Sequence, residues 1–259
     1  MPTRREIVQG GLLTLVFGTG SMSSCLCRAQ PPGARHDYGC VLSPDEATLF
    51  MNERTDTRLY ISGNEPMIPR SGDRDFDLAL AHMLAAVSEK LEALPGFAYF
   101  DDYDGANAYA TPTVRMTNAD GTVLFGQRLL SRLMSGPESP EVAVAAVCAH
   151  EFGHILQFKR GLDREIGADQ PTVKRVELQA DFFAGYFAGA RKLERPNFPA
   201  AVFAMTQHSF GDNMVNHPSH HGTSEERGAA IVKGFEVAYR EKRTLAQAIQ
   251  ISTNYVAGL

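Results

Sequence analysis

The chain has 259 residues, 44% of them hydrophobic and 21% charged, with a formal net charge of −5. That composition suits one globular domain large enough to bury a core. It excludes a nucleic-acid binder built on basic blocks, and nothing past the N-terminus reaches the ~20 apolar residues that a membrane-spanning helix needs.

Residues 1–29 read as an export signal. Arg4 and Arg5 precede a short, Gly-interrupted apolar run, "LLTLVFGTG", the order of a twin-arginine leader with cleavage after Ala29. "MSSC", ending at Cys25, also fits a lipobox, so a lipid anchor at Cys25 is the alternative form and the expected route to membrane association. Either form places the chain in the periplasm or cell envelope. Residues 30–42, rich in Pro and Gly, read as a linker, and 43–259 as the functional domain. Of four cysteines, Cys25 and Cys27 belong to the leader region. Cys40 and Cys148 remain, too few for a disulfide framework or a Cys-based metal site, and Cys148 reads as a buried thiol.

Ser43-Pro44 with Glu46 forms a capping signature that opens a first helix. Helical spacing of apolar residues predicts a helix over 75–94, ended by Pro95-Gly96. Strand-like pieces follow at 97–100, 107–111, 113–117 and 122–126, the last two joined by an Asn-Ala-Asp-Gly hairpin turn at 118–121. Ser139-Pro140-Glu141 starts a long helix that runs to Gly161. Further helices are expected over 172–193, including the apolar "DFFAGYFAGA" as a core segment, and within 197–207. Thr223 with Glu226, and Thr244 with Gln247, are capping boxes for the last two helices. Helices, a small antiparallel or mixed sheet, then more helices make an α+β domain.

The long helix contains "CAHEFGHILQF" at 148–158. His150 and His154 are one turn apart on one face, so their imidazoles can converge on one ion at the ~2.0–2.1 Å of a zinc–nitrogen bond. Glu151 projects beside that ion, where a carboxylate can take a proton from water. The apolar flanks "AAVC" and "ILQF" point the histidines inward, where unpartnered polar groups would cost several kcal/mol. A zinc ion removes that cost. A third donor is expected from Glu177 in "ELQAD" on the next helix, with Asp181 one turn on as acceptor for an imidazole N–H. His36 in the linker is the alternative donor.

His150-Glu151-x-Gly153-His154 followed by "ELQADFFAG" resembles the gluzincin metallopeptidases, and more closely the bacterial neutral zinc metallopeptidase group. "HGTSEER" at 221–227 matches that group as well, and the likeness spans about 107–240. It implies a zincin-like domain that hydrolyses peptide bonds in a peptide or protein substrate. By the same resemblance His221, with Arg227, would stabilise the oxyanion, and Asn107 and Ala108 in "NAYAT" would offer main-chain hydrogen bonds to an extended substrate. His217, His220, His82 and His208 read as ordinary residues. Two rival readings share the metal site: a metal-stabilised, non-catalytic or chaperone-like envelope protein, and a zinc-dependent hydrolase of a cell-wall amide.

Overall fold

The computed structural model describes residues 65–259 except 104 and 138. The leader, the lipobox Cys25, the linker with His36 and Cys40, and the helix expected at Ser43 all lie outside the described residues.

Among the described residues the first helix is α1 (Arg74–Leu91), whose first amides, Asp75 N and Phe76 N, donate to the Asp73 side chain. It stops three residues short of the expected end, because Glu92 takes a left-handed conformation (φ 50°). Three strands follow: β1 (Gly96–Phe100), β2 (Ala108–Thr111) and β3 (Thr122–Gly126). They form a mixed sheet in the order β1-β3-β2, with β1 parallel and β2 antiparallel to β3.

The hairpin expected from 113–117 does not form. Among the described residues β3 pairs instead with β2 (Thr111 opposite Thr122), leaving 112–121 as a loop. The Thr122 hydroxyl holds that loop by donating to Thr113 O (2.7 Å) and accepting from Arg115 N (3.1 Å). A side chain takes the hydrogen bonds that a fourth strand would have used.

A helix that the sequence did not announce, α2 (Gln127–Met134), begins directly at the end of β3. Its first amides, Arg128 N and Leu129 N, donate to the buried carboxylate of Asp102 at 2.7 and 3.0 Å. A carboxylate at a helix N-terminus satisfies donors and complements the macrodipole. Asp102 also accepts from Asn107 N (3.1 Å), so it fixes the approach to β2.

The long helix α3 (Pro140–Arg160) starts on Pro140 and ends at Gly161, in the left-handed conformation at φ 70°. Every residue from Val144 to Gln157 is buried. A helix buried all round must satisfy its polar groups against its neighbours. After short α4 (Leu162–Gly167) comes α5 (Lys174–Glu194), buried from Val176 to Gly189. The remaining helices are α6 (Ala201–His208), α7 (Ser224–Tyr239) and α8 (Leu245–Ala257). Both capping boxes, Thr223/Glu226 and Thr244/Gln247, are formed as expected. The fold is therefore mixed α+β, mostly helical with a small mixed sheet. Among the described residues no helix is long and apolar enough to cross a membrane.

α5 lies between α3 and α7, and both contacts depend on missing side chains. A Cβ on Gly153 of α3 would lie 3.0 Å from Ala180 O, so Gly153 lets the histidine helix approach the glutamate helix. On the other face, a Cβ at Gly234 of α7 would fall 1.9 Å from Phe182 O. Gly234→Ala must separate α5 from α7, and overpacking costs ~1–3 kcal/mol. A thermal melt followed by circular dichroism should show a midpoint lowered by about 2–12 °C.

Candidate metal centre

α3 and α5 bring three expected donors together. His150 Nε2 and His154 Nε2 are 3.1 Å apart, and the Glu177 oxygens lie 3.4 Å from His150 Nε2 and 3.5 Å from His154 Nε2. Among the described residues, this His150–His154–Glu177 group is the one whose ligand atoms cluster closely enough to hold an ion. Donors on a tetrahedron with 2.0–2.1 Å bonds are about 3.3–3.4 Å apart, so the spacing fits zinc.

The bonding state of Glu177 fits as well. Both its oxygens are buried, and neither makes a hydrogen bond. Leaving such a carboxylate unpartnered is expensive, and a cation removes the expense. Burial opposes its charge, yet the imidazoles of His154, His221 and His150 hold its carboxyl well below the usual carboxylate range.

The outer side of His150 is fixed by charge. Its Nδ1 lies 2.7 Å from Asp181 Oδ1, and a carboxylate can only accept there, so the lone pair of a neutral His150 is on Nε2. Asp181 is itself gripped by Arg227, through Nε to Oδ2 (2.7 Å) and Nη2 to Oδ1 (3.0 Å). Such a bidentate pair also positions the carboxylate. Burial works against a charged His150, but the Asp181 carboxylate outweighs it and lifts the imidazole to about 10. Burial lowers His154 to about 4. The centre therefore accommodates positive charge between two imidazoles, as a proton when it holds no metal.

Glu151 sits beside the donors, buried, with Oε2 lacking a hydrogen-bond partner. Burial pushes it up to about 8, with His150 opposing and Glu177 assisting.

The other expected residues are placed as follows. His221 is buried, and its main-chain N donates to Asp212 Oδ2 (2.9 Å), with Nδ1 3.5 Å from the same oxygen. His220 shares Asp212 through Nδ1 (2.6 Å), whereas His82, His208 and His217 are exposed. Besides Asp181, Arg227 donates to Gln207 Oε1 (3.0 Å) and Phe210 O (3.4 Å). Asn107 immediately precedes β2, at one side of the sheet. Its Oδ1 accepts from Ala108 N (2.9 Å), and its carbonyl accepts from Gly126 N (2.9 Å). By antiparallel alternation Ala108 and Ala110 turn their main-chain groups away from β3. Cys148 is a free buried thiol, pushed up by burial.

Sequence reasoning missed Gln157, Gln179, Gln207 and Asp212, all of which bond to site residues or to their partners. For Gln157 a signal existed: it lies three residues after His154, on the same helix face, inside an apolar run. Compared with protein-family models, curated proteins and solved structures, the chain matches none.

Proposed function

We propose that the chain is a zinc-dependent endopeptidase with a zincin-like domain. One observation carries this reading: two imidazole nitrogens and a carboxylate without hydrogen bonds converge with edges of 3.1–3.5 Å beside a second buried carboxylate, Glu151. Metal storage would need only the first three groups.

His150, His154 and Glu177 would hold the zinc. Bound there, the ion supplies Lewis acidity, which polarises a peptide carbonyl and makes water easier to deprotonate. Glu151 accepts the proton from the attacking water and returns it to the leaving amine. His221 donates to the oxygen on which negative charge develops. The contacts of Arg227 support a different task from the oxyanion role: holding Asp181, and through it the ring of His150. The Asn107 amide and carbonyl and the Ala108 amide, expected to meet substrate, are taken within the chain, so the Ala108 carbonyl and the main-chain groups of Ala110 would align an extended peptide. Because the donors and Glu151 are buried, substrate must be admitted by an opening of the structure. The leader-like residues 1–29 support export, with action in the cell envelope.

The test is casein hydrolysis by the purified chain with zinc measured in the same sample. Activity abolished by o-phenanthroline and restored by zinc is the expected result. Tight zinc without hydrolysis of any peptide would favour the binding-protein reading, and hydrolysis confined to a cell-wall amide would favour the other rival.

His221→Ala should lower kcat while zinc content and KM stay nearly unchanged, since a group that meets only the transition state does not contribute to ground-state binding. Steady-state kinetics with metal analysis decides it. Lost zinc would make His221 a ligand, and an unchanged kcat would make it a loop brace.

A further inference from the structure

We propose that Gln157 is a positioning residue for the metal centre, and that a chain of two amides makes the last helix part of that centre. The proposal rests on the metal reading above, but its geometry can be judged without metal. His154 Nδ1 lies 2.7 Å from Gln157 Oε1. On its other side the Gln157 amide is 2.8 Å from Val176 O and 3.1 Å from Gln179 Oε1. A main-chain carbonyl can only accept, so the group facing Val176 is the NH₂ of Gln157 and its oxygen must face His154. His154 then carries its proton on Nδ1 and presents the Nε2 lone pair to the ion.

The next link is anchored in the same way. Gln179 directs its NH₂ at the hydroxyls of Ser252 and Thr253, each at 3.1 Å. The Ser252 hydroxyl donates to Ile249 O (2.8 Å), which leaves its oxygen free to accept from Gln179. Main-chain carbonyls at Val176 and Ile249 therefore dictate the direction of every bond between them. His154, Gln157, Gln179 and Ser252 are all fully buried, so water does not compete for these bonds. The two ligand histidines are held differently: a charged pair orients His150, and a neutral relay orients His154. Neutrality matters, because a second carboxylate there would cancel more of the ion's charge.

The test uses the full chain and two variants, Gln157→Leu and the double variant Ser252→Ala with Thr253→Val. Zinc affinity is measured by chelator competition, and the His154 tautomer by ¹⁵N-histidine NMR on metal-free protein. The wild type should show the Nδ1–H form. Gln157→Leu should lose that preference and bind zinc about 10–100-fold more weakly. The double variant, remote from the ion, should bind about threefold or more weakly. Nε2–H in the wild type, or unchanged affinity in both variants, overturns the relay and leaves the metal centre standing. If Gln157→Leu does not fold, the double variant decides. If the wild type binds no zinc, the proposed function fails while the tautomer still decides the relay: Nδ1–H that is lost in Gln157→Leu supports it, and Nε2–H overturns it.

Discussion

Glu151→Gln should retain zinc near one ion per chain while peptide turnover falls by ~10²–10⁴ or more, the usual loss when a general base is removed. Glutamine has almost the same volume and leaves the three donors in place. It also replaces a buried acid, whose charge burial disfavours, by a neutral amide, so the melting temperature should hold or rise. The measurement is kcat/KM on a fluorogenic peptide, with zinc analysis and a thermal melt on the same preparation. Comparable activity in the variant would sink the peptidase mechanism. Loss of zinc would show that Glu151 is itself a ligand.

The second large effect separates Glu177 from Asp181, two carboxylates one turn apart on α5. Glu177 makes no hydrogen bond, whereas Asp181 is held by Arg227 and His150. Removing each should therefore have unequal consequences in metal-free protein. Glu177→Ala deletes the acid that the imidazoles of His154, His221 and His150 keep ionised, so the metal-free variant should be somewhat less stable than the metal-free wild type. Asp181→Asn leaves the buried Arg227 charge without its counterion, a loss of about 3–5 kcal/mol. With zinc present the order changes. At a thousandfold excess over Kd the wild type gains ~4 kcal/mol from binding, and Glu177→Ala should gain almost none. Asp181→Asn should still bind, about 10–100-fold more weakly. Melts with and without zinc, together with a chelator titration, read all of this. Tight zinc in Glu177→Ala, or a greater loss of zinc in Asp181→Asn, would mean that the third ligand is wrongly assigned.

Much of the donor set was legible because its information is local. Positions four apart on a helix share a face whatever the rest of the chain does, so His150 and His154 converge. Asp181 could be read as acceptor for an imidazole N–H for a similar reason, since its neighbours are apolar, but that the imidazole is His150 is seen only in the structure. The capping boxes at Thr223 and Thr244 are also local. What stayed hidden depends on distant contacts. α2 is capped by Asp102, which lies well upstream, and nothing in "QRLLSRLM" points to it. The segment 113–117 has strand-like residues, but the hydroxyl of Thr122 binds it as a loop. Arg227 stands in a motif that suggests oxyanion contact, yet its partners are brought by α5 and α6, which no spacing within "HGTSEER" could reveal. Glutamines in helices carry no motif at all, so the amide relay emerged only when α3, α5 and α8 were packed together.

The complete burial of α3 from Val144 to Gln157 also sets a clock. Zinc held as proposed by these buried donors would leave only when the structure opens around them. Release should then proceed at the frequency of that opening, however tightly the ion is held. Raising the concentration of a strong chelator should speed zinc loss only to a plateau, and the plateau should equal the opening rate that the α3 amide hydrogens report when each opening leads to exchange. Substrate would have to pass the same barrier, so the breathing of the helix stack would cap turnover as well.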